Sequence, residues 1–256
     1  MKDCLIYDKV SQLLKSGPVT ALCTVVSTKG STPLKTGAKM IVWENGQIYG
    51  TVGGGPLEWA VIQDAVGVVK ERKPRLFKHD LMEQHQMCCG GTVEIFIQPL
   101  MPQKKLFVFG GGHVGKAVVK HAMDLDFDIT VVDPRGDIFD NWTDTGFTKV
   151  TGDFAKVMPG LPYDSATFIV IATLDHPTDR EVLAFCLHKP HYYLGLIGSR
   201  NKVKRIKEDF VNEGIASSEE VENVDMPIGL DINAESADEI AISIIAKLIK
   251  EKNTAR

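Results

Sequence analysis

A chain of 256 residues with a formal net charge of −4 can bury one or two cores and lacks the basic excess of a general nucleic-acid binder. No apolar run reaches the roughly 18 residues a membrane-spanning helix needs, and residues 1–11, with Lys2, Asp3, Asp8 and Lys9, lack the apolar core of a secretory signal. In chain order, the pattern predicts a helix over 7–15 and strands over 21–27 and 39–43. The turn Glu44-Asn45-Gly46-Gln47 then leads to a strand over 48–52, because Asn-Gly between apolar runs marks a hairpin. Leu57, Ala60, Val61, Asp64, Ala65 and Val68 recur at helical spacing with one polar member, and a strand-like run covers 93–98.

Pro99 and Pro102 follow that run. Proline removes a backbone donor and restricts its predecessor, so a connection is expected at 98–105. Beyond it the pattern alternates, with strands over 106–109, 128–133, 167–172 and 192–197 and helices over 115–123, 180–187 and 202–210. A further helix after Ser236 carries Ile240, Ile244 and Leu248 on one stripe. Alternation of this kind implies a parallel sheet with right-handed crossovers. The expected fold class is therefore α/β: an α+β domain over 1–100, then a Rossmann-like, doubly wound parallel-sheet domain over 104–256.

The second domain opens with a strand, the loop Gly110-Gly111-Gly112-His113-Val114-Gly115 and a helix. In this pattern Gly110 permits the tight turn, Gly112 lets a diphosphate approach the backbone, and Gly115 lets the helix pack on the strand. The helix N-terminus presents free N–H groups to an anion. Asp133 ends the next strand, where a carboxylate can accept from ribose hydroxyls. His113 lies inside the loop and reads most simply as a tolerated turn residue.

Two more anion sites are legible. Ser199 and Arg200 follow a strand and start a helix that also carries Lys202, Lys204, Arg205 and Lys207; cations in a first helical turn oppose the helix dipole unless an anion sits there. Gly53, Gly54 and Gly55 precede Glu58 between a strand and a helix, which suits an anion or simply a tight turn. Thr178/Glu181 and Ser236/Glu239 have capping-box spacing. The five cysteines, an odd and scattered set, fit reduced thiols of a cytoplasmic protein. Cys4, Cys23 and Cys186 read as buried and inert, and Cys88 and Cys89 are adjacent, which is not zinc-ligand spacing. Cys89, followed by two glycines, reads as an accessible working thiol.

Taken in order, Gly30-Ser31-Thr32-Pro33, Gly37-Ala38-Lys39-Met40, Gly53-Gly54-Gly55-Pro56-Leu57-Glu58, Cys89-Gly90-Gly91, the Gly110–Gly115 loop, Gly195-Leu196-Ile197-Gly198-Ser199-Arg200 and Pro227-Ile228-Gly229-Leu230-Asp231 resemble the XdhC/CoxI family over nearly the whole chain. The sequence departs from the family pattern at Leu34, where arginine is usual, at Asn233, where many members have glycine, and in the extra thiol Cys88. The resemblance implies an accessory protein for a molybdenum hydroxylase of xanthine dehydrogenase or carbon monoxide dehydrogenase type. Such a protein binds molybdenum cofactor of molybdopterin type, supports its sulfuration by a cysteine desulfurase and delivers it to the apoenzyme. Cys89 would then contact molybdenum, and a homodimer is compatible with the pattern. The fold by itself allows another class, an NAD(P)-dependent oxidoreductase with the first domain as substrate domain and Asp175 and His176 as its best catalytic candidates, since fold does not fix function.

Overall fold

The computed structural model describes residues 3–32, 35–83 and 90–254. They fall into two compact units, Met1–Gln103 and Lys104–Arg256. The first contains α1 (Asp3–Ser16), β1 (Thr20–Lys29), β2 (Lys39–Trp43), β3 (Ile48–Gly50), α2 (Gly55–Glu71), β4 (Arg75–Asp80) and β5 (Thr92–Leu100). Its sheet is antiparallel, in the order β3-β2-β1-β5-β4. Strand periodicity sorts its two faces. Ala21, Cys23 and Val25 of β1 pack with Leu57, Val61, Ala65 and Val68 of α2, while Leu22 packs with Ile6 and Leu13 of α1. The polar member of the α2 stripe, Asp64, has its carboxylate 3.3 Å from His79 Nε2 on β4. The β2–β3 hairpin is the one expected, with Gly46 at φ +80° and Asn45 Oδ1 accepting from the Gln47 N–H at 3.0 Å.

Pro99 does not end its strand. β5 continues to Leu100, with Pro99 paired to Ala21 of β1. The other neighbour, β4, stops at Arg75 opposite Ile97. At Pro99 the strand is therefore an edge on that side, where a missing N–H costs nothing.

The second unit contains β6 (Lys104–Phe109), α3 (His113–Ala122), β7 (Phe127–Asp133), β8 (Thr148–Thr151), α4 (Phe154–Val157), β9 (Phe168–Ile171), α5 (His176–Leu187), β10 (Tyr193–Leu196), α6 (Arg200–Asn212), α7 (Ser218–Glu222) and α8 (Ala237–Thr254). Its five strands are all parallel, in the order β10-β9-β6-β7-β8. The central strand β6 is buried on both faces. Leu106 and Val108 pack with Val118 of α3 and Ile244 and Leu248 of α8; Phe107 and Phe109 pack with Val182 and Leu183 of α5 and Ile206 and Phe210 of α6. Each such phenylalanine contributes about 2–3 kcal/mol of burial. The chain leaves β6 toward β7 on one side and returns to β9 on the other, so the switch point of the sheet lies between β6 and β9.

One cap differs from the sequence expectation. α5 is capped by Asp175, which accepts from the Thr178 N–H at 2.9 Å; Thr178 is inside the helix, so Thr178 and Glu181 form no capping box. At α8 the reciprocal pair is present: Glu239 N–H donates to Ser236 Oγ at 3.3 Å and Ser236 N–H to Glu239 Oε2 at 3.0 Å.

Candidate functional site

The loop after β6 is packed from behind and open in front. A Cβ on Gly110, at φ +108°, would lie 2.0 Å from the Ala172 carbonyl oxygen after β9. A Cβ on Gly115 would lie 1.9 Å from the Gly110 carbonyl oxygen, so α3 is pressed onto the strand end. Gly112, by contrast, is the N-cap of α3 with no side-chain cap, and nothing lies within 4 Å of where its Cβ would be. The first turn of α3 thus presents uncapped N–H groups to open space, which favours an anion. That space is a cleft of about 490 Å³ at the switch point, lined among others by His113, Lys116, Arg135, Ile138, Trp142 and Thr173, with no carboxylate side chain in its lining. Lys116 is held there by donating to the Asn141 carbonyl at 2.8 Å, with Nζ 5.9 Å from the Trp142 ring centre.

Asp133 sits at the end of β7 as expected, but it does not offer a free acceptor. It is 1% exposed. Its Oδ2 accepts from the Gly111 N–H at 2.7 Å and from Arg135 Nη2 at 2.8 Å; its Oδ1 accepts from the Arg135 N–H at 3.0 Å and Arg135 Nε at 2.8 Å. A carboxylate has about four acceptor positions, and all are filled. Burial alone would raise this carboxyl's pKa, but the hydrogen bonds from Arg135 and Gly111 outweigh it and hold the pKa below the usual carboxylate range. In this arrangement Asp133 ties the glycine loop to Arg135. Arg135 itself went unnoticed in the sequence, where the only signal was its place two residues after the strand-ending acid.

The cation cluster of α6 is met by the protein's own acids. Ser199 is an ordinary N-cap whose Oγ accepts from the Lys202 N–H at 3.3 Å. Lys202 donates to the buried carboxylate of Asp179 and to the Ile197 carbonyl at 3.1 Å. Asp179 also accepts from the Thr173 N–H at 3.0 Å and hydroxyl at 2.7 Å. Arg200 reaches Asp231 at 3.3 Å with both side chains largely exposed, at 85% and 76%. Lys207 pairs with Glu222 at 2.7 Å. The Pro227–Asp231 motif and Arg200 line a separate cleft of about 300 Å³, and Ile197 borders both clefts. Asn233, in place of the family's glycine, has φ +55°, a left-handed conformation that asparagine tolerates better than most residues.

In the first unit the Gly53–Gly55 loop already holds its anion. Glu58 accepts from the Thr51 hydroxyl, from the Val52 N–H at 3.1 Å and from the Gly54 N–H at 3.2 Å. Gly90 bridges Ser31, and a Cβ on Gly91 would lie 2.6 Å from the carbonyl oxygens of both Lys29 and Ser31, so two of the motifs meet side by side. Cys88 and Cys89, like Pro33 and Leu34, lie outside the described residues. Burial pushes the thiols of Cys23 and Cys186 up to about 12, which makes them inert, whereas Cys4 is exposed rather than buried. Among the described residues no group of three or more His, Cys, Asp or Glu is placed to hold a metal, and no helix is long and apolar enough to cross a membrane.

An antiparallel α+β domain followed by a Rossmann-type domain, with the cleft at the switch point of the second, defines the class of protein. Within that class the chain belongs to the XdhC and CoxI family: residues 13–80 match the XdhC and CoxI family and residues 106–248 match the XdhC Rossmann domain. It is similar to the uncharacterized protein YqeB of Escherichia coli (strain K12), at 33% identity over 98% of this chain and 47% of that protein. It is also similar to a probable xanthine dehydrogenase subunit of Bacillus subtilis (strain 168), at 28% identity over 63% of this chain and 47% of that one. The chain thus spans about half the length of the curated relatives it matches. A crystal structure from Bacillus halodurans, described as that of a xanthine dehydrogenase, shares the fold at a TM-score of 0.54 and 21% identity, covering 100% of this chain and 97% of that chain.

Proposed function

We propose that the chain is an accessory protein in the maturation of a molybdenum hydroxylase of xanthine dehydrogenase type, and that its Rossmann cleft holds the phosphate end of the molybdenum cofactor. The observation that carries this reading is the uncapped α3 N-terminus opening into a cleft that has Lys116 and Arg135 in its lining and no carboxylate. Family membership and the name of the Bacillus subtilis relative supply the hydroxylase.

The residues present fit the phosphate end of the group. The α3 N–H groups and Lys116 would hold the anion, with Trp142 and Ile138 as apolar residues of the same lining. When bound, the cofactor supplies the molybdenum centre that the partner hydroxylase uses. The residue we propose for contact with that centre is Cys89, whose thiolate is a soft ligand suited to a sulfur-rich metal. Sulfuration by a cysteine desulfurase and transfer to the apoenzyme complete the proposal. An NAD(P)-dependent oxidoreductase has less support: of its two candidates, Asp175 is the cap of α5, accepting from the Thr178 N–H, and His176 is the first residue of that helix.

The test is retention of molybdenum cofactor by the purified chain together with activation of the apo-hydroxylase. Gly112→Val places its Cβ where nothing lies within 4 Å and, with the fold checked by circular dichroism, is expected to lose retention by an order of magnitude or more. Cys89→Ser should retain the phosphate end but fail to activate, with Cys88→Ser milder. Undiminished retention by Gly112→Val would overturn the cleft as the cofactor site. Wild-type activation by both cysteine variants and their double would remove the thiol role.

A further inference from the structure

The corner of the cleft beneath β7 is built in an unusual way for a glycine-loop nucleotide site. Where a strand-ending acid commonly accepts from the two hydroxyls of a ribose, the four acceptor positions of Asp133 are all taken, two of them by the side chain of Arg135 and one by the Gly111 N–H of the glycine loop itself. A ribose diol arriving there would bring hydroxyl donors to a carboxylate with no acceptor left. What the corner does offer is a donor. Arg135 lines the cleft with its side chain 36% exposed, and its Nε and Nη2 are engaged by Asp133, which leaves Nη1 with no partner among the described residues. Asp133 locks the guanidinium in place, so presenting Nη1 costs little side-chain entropy.

We infer that the cleft binds a ligand with two anionic ends, one on the first turn of α3 and one on Arg135, and that it discriminates against a free ribose diol at the β7 corner. In nucleotide chemistry this is a preference for a 2′-phosphorylated dinucleotide over its unphosphorylated counterpart. The inference rests on the reading that the cleft takes a phosphate-bearing ligand. For the proposed cargo it disfavours any form of the cofactor that would set a free ribose diol against Asp133. The lining supports it as well: Lys116 adds a second cation on the α3 side, and no carboxylate side chain is among the described residues that line the cleft.

The matched probes are NADP⁺ and NAD⁺, which differ by one 2′-phosphate, titrated calorimetrically into the full chain. One charge-assisted contact predicts binding of NADP⁺ about tenfold tighter or more, a ratio that shrinks as salt rises. Arg135→Gln should bring the ratio to within about twofold, with Arg135→Lys intermediate because it keeps the charge and loses the fork. Equal affinities, tighter NAD⁺, no binding of either probe to the wild type, or a ratio that survives in Arg135→Gln would each overturn the inference. If Arg135→Gln does not fold, the wild-type ratio decides alone. The two readings fail separately. Loss of cofactor retention in Gly112→Val without any NADP⁺ preference keeps the proposed function and removes this inference; a clear NADP⁺ preference with retention unaffected in Gly112→Val does the reverse.

Discussion

The two units each carry a glycine loop between a strand and a helix, and the structure treats them in opposite ways. At Gly53–Gly55 the loop has positive φ at all three glycines, and Glu58, one turn into α2, folds back to accept from Thr51, Val52 and Gly54. The loop in front of the helix is closed from within, although α2, like α3, has no side-chain N-cap. At Gly110–Gly115 the acid lies on another strand, Asp133, and it accepts from Gly111 at the back of the loop. The front of the loop, where α3 begins at Gly112, keeps its N–H groups exposed to a cleft. The position of one acid thus decides whether a glycine loop before a helix is closed or opens on a cleft.

Substitutions at these loops and at α6 test that contrast, in falling order of effect. Gly110→Ala places a Cβ 2.0 Å from a backbone oxygen at φ +108° and should destabilise the second unit by about 3 kcal/mol or more in denaturant melts. Gly54→Ala, at φ +77° with nothing within 4 Å, should cost only about 1–2 kcal/mol. Equal losses would mean that the second loop is not packed from behind as its geometry indicates.

Asp133→Asn should rank second to Gly110→Ala, at about 2–3 kcal/mol at neutral pH, because it weakens hydrogen bonds to a buried charge. The sign with pH follows from the lowered pKa of Asp133. A carboxyl depressed on folding stabilises above its unfolded value of about 4 and loses that contribution as pH falls through the folded value. The gap between wild type and variant should therefore be full at pH 7 and close below about pH 4. A gap that persists undiminished at pH 3 would show that the carboxylate charge is not what holds the loop. Its counterpart Glu58→Ala, more exposed, should cost about 1–2 kcal/mol and leave ligand binding in the Rossmann cleft unchanged. If it weakened that binding, the closed loop would have to be counted as part of the site.

Arg200→Ala should do least. Relief at the start of α6 is offset by loss of the exposed Asp231 pair, so stability should stay within about 0.5 kcal/mol by thermal melt. Nucleotide binding should also be unmoved. A clear loss of binding would return Arg200 to the site as the sequence suggested.

The amino-acid sequence by itself determined the order of the two domains, the hairpin at Asn45-Gly46, the strand–loop–helix at Gly110–Gly115 and the α8 capping box. Each depends on residues close in the chain and on a periodic apolar face, so the signal is local. It did not reveal β4 or β8. Both lie at sheet edges, carry charged or polar residues such as Arg75, Lys78 and Lys149, and become strands through hydrogen bonds to a neighbour rather than through their own pattern. Nor could it decide which anion sites were vacant. Glu58 and Asp133 read in sequence as a helix-favouring acid and a ribose acceptor, and Asp179 gave no signal. Only the tertiary structure, by bringing Asp133 to Gly111 and Asp179 to Lys202 across more than twenty residues, satisfied those charges internally and left an open cleft beside Arg135. Whether a charge is available to a ligand depends on what lies within hydrogen-bond reach, and for these acids that is set by packing between elements, not by spacing along the chain.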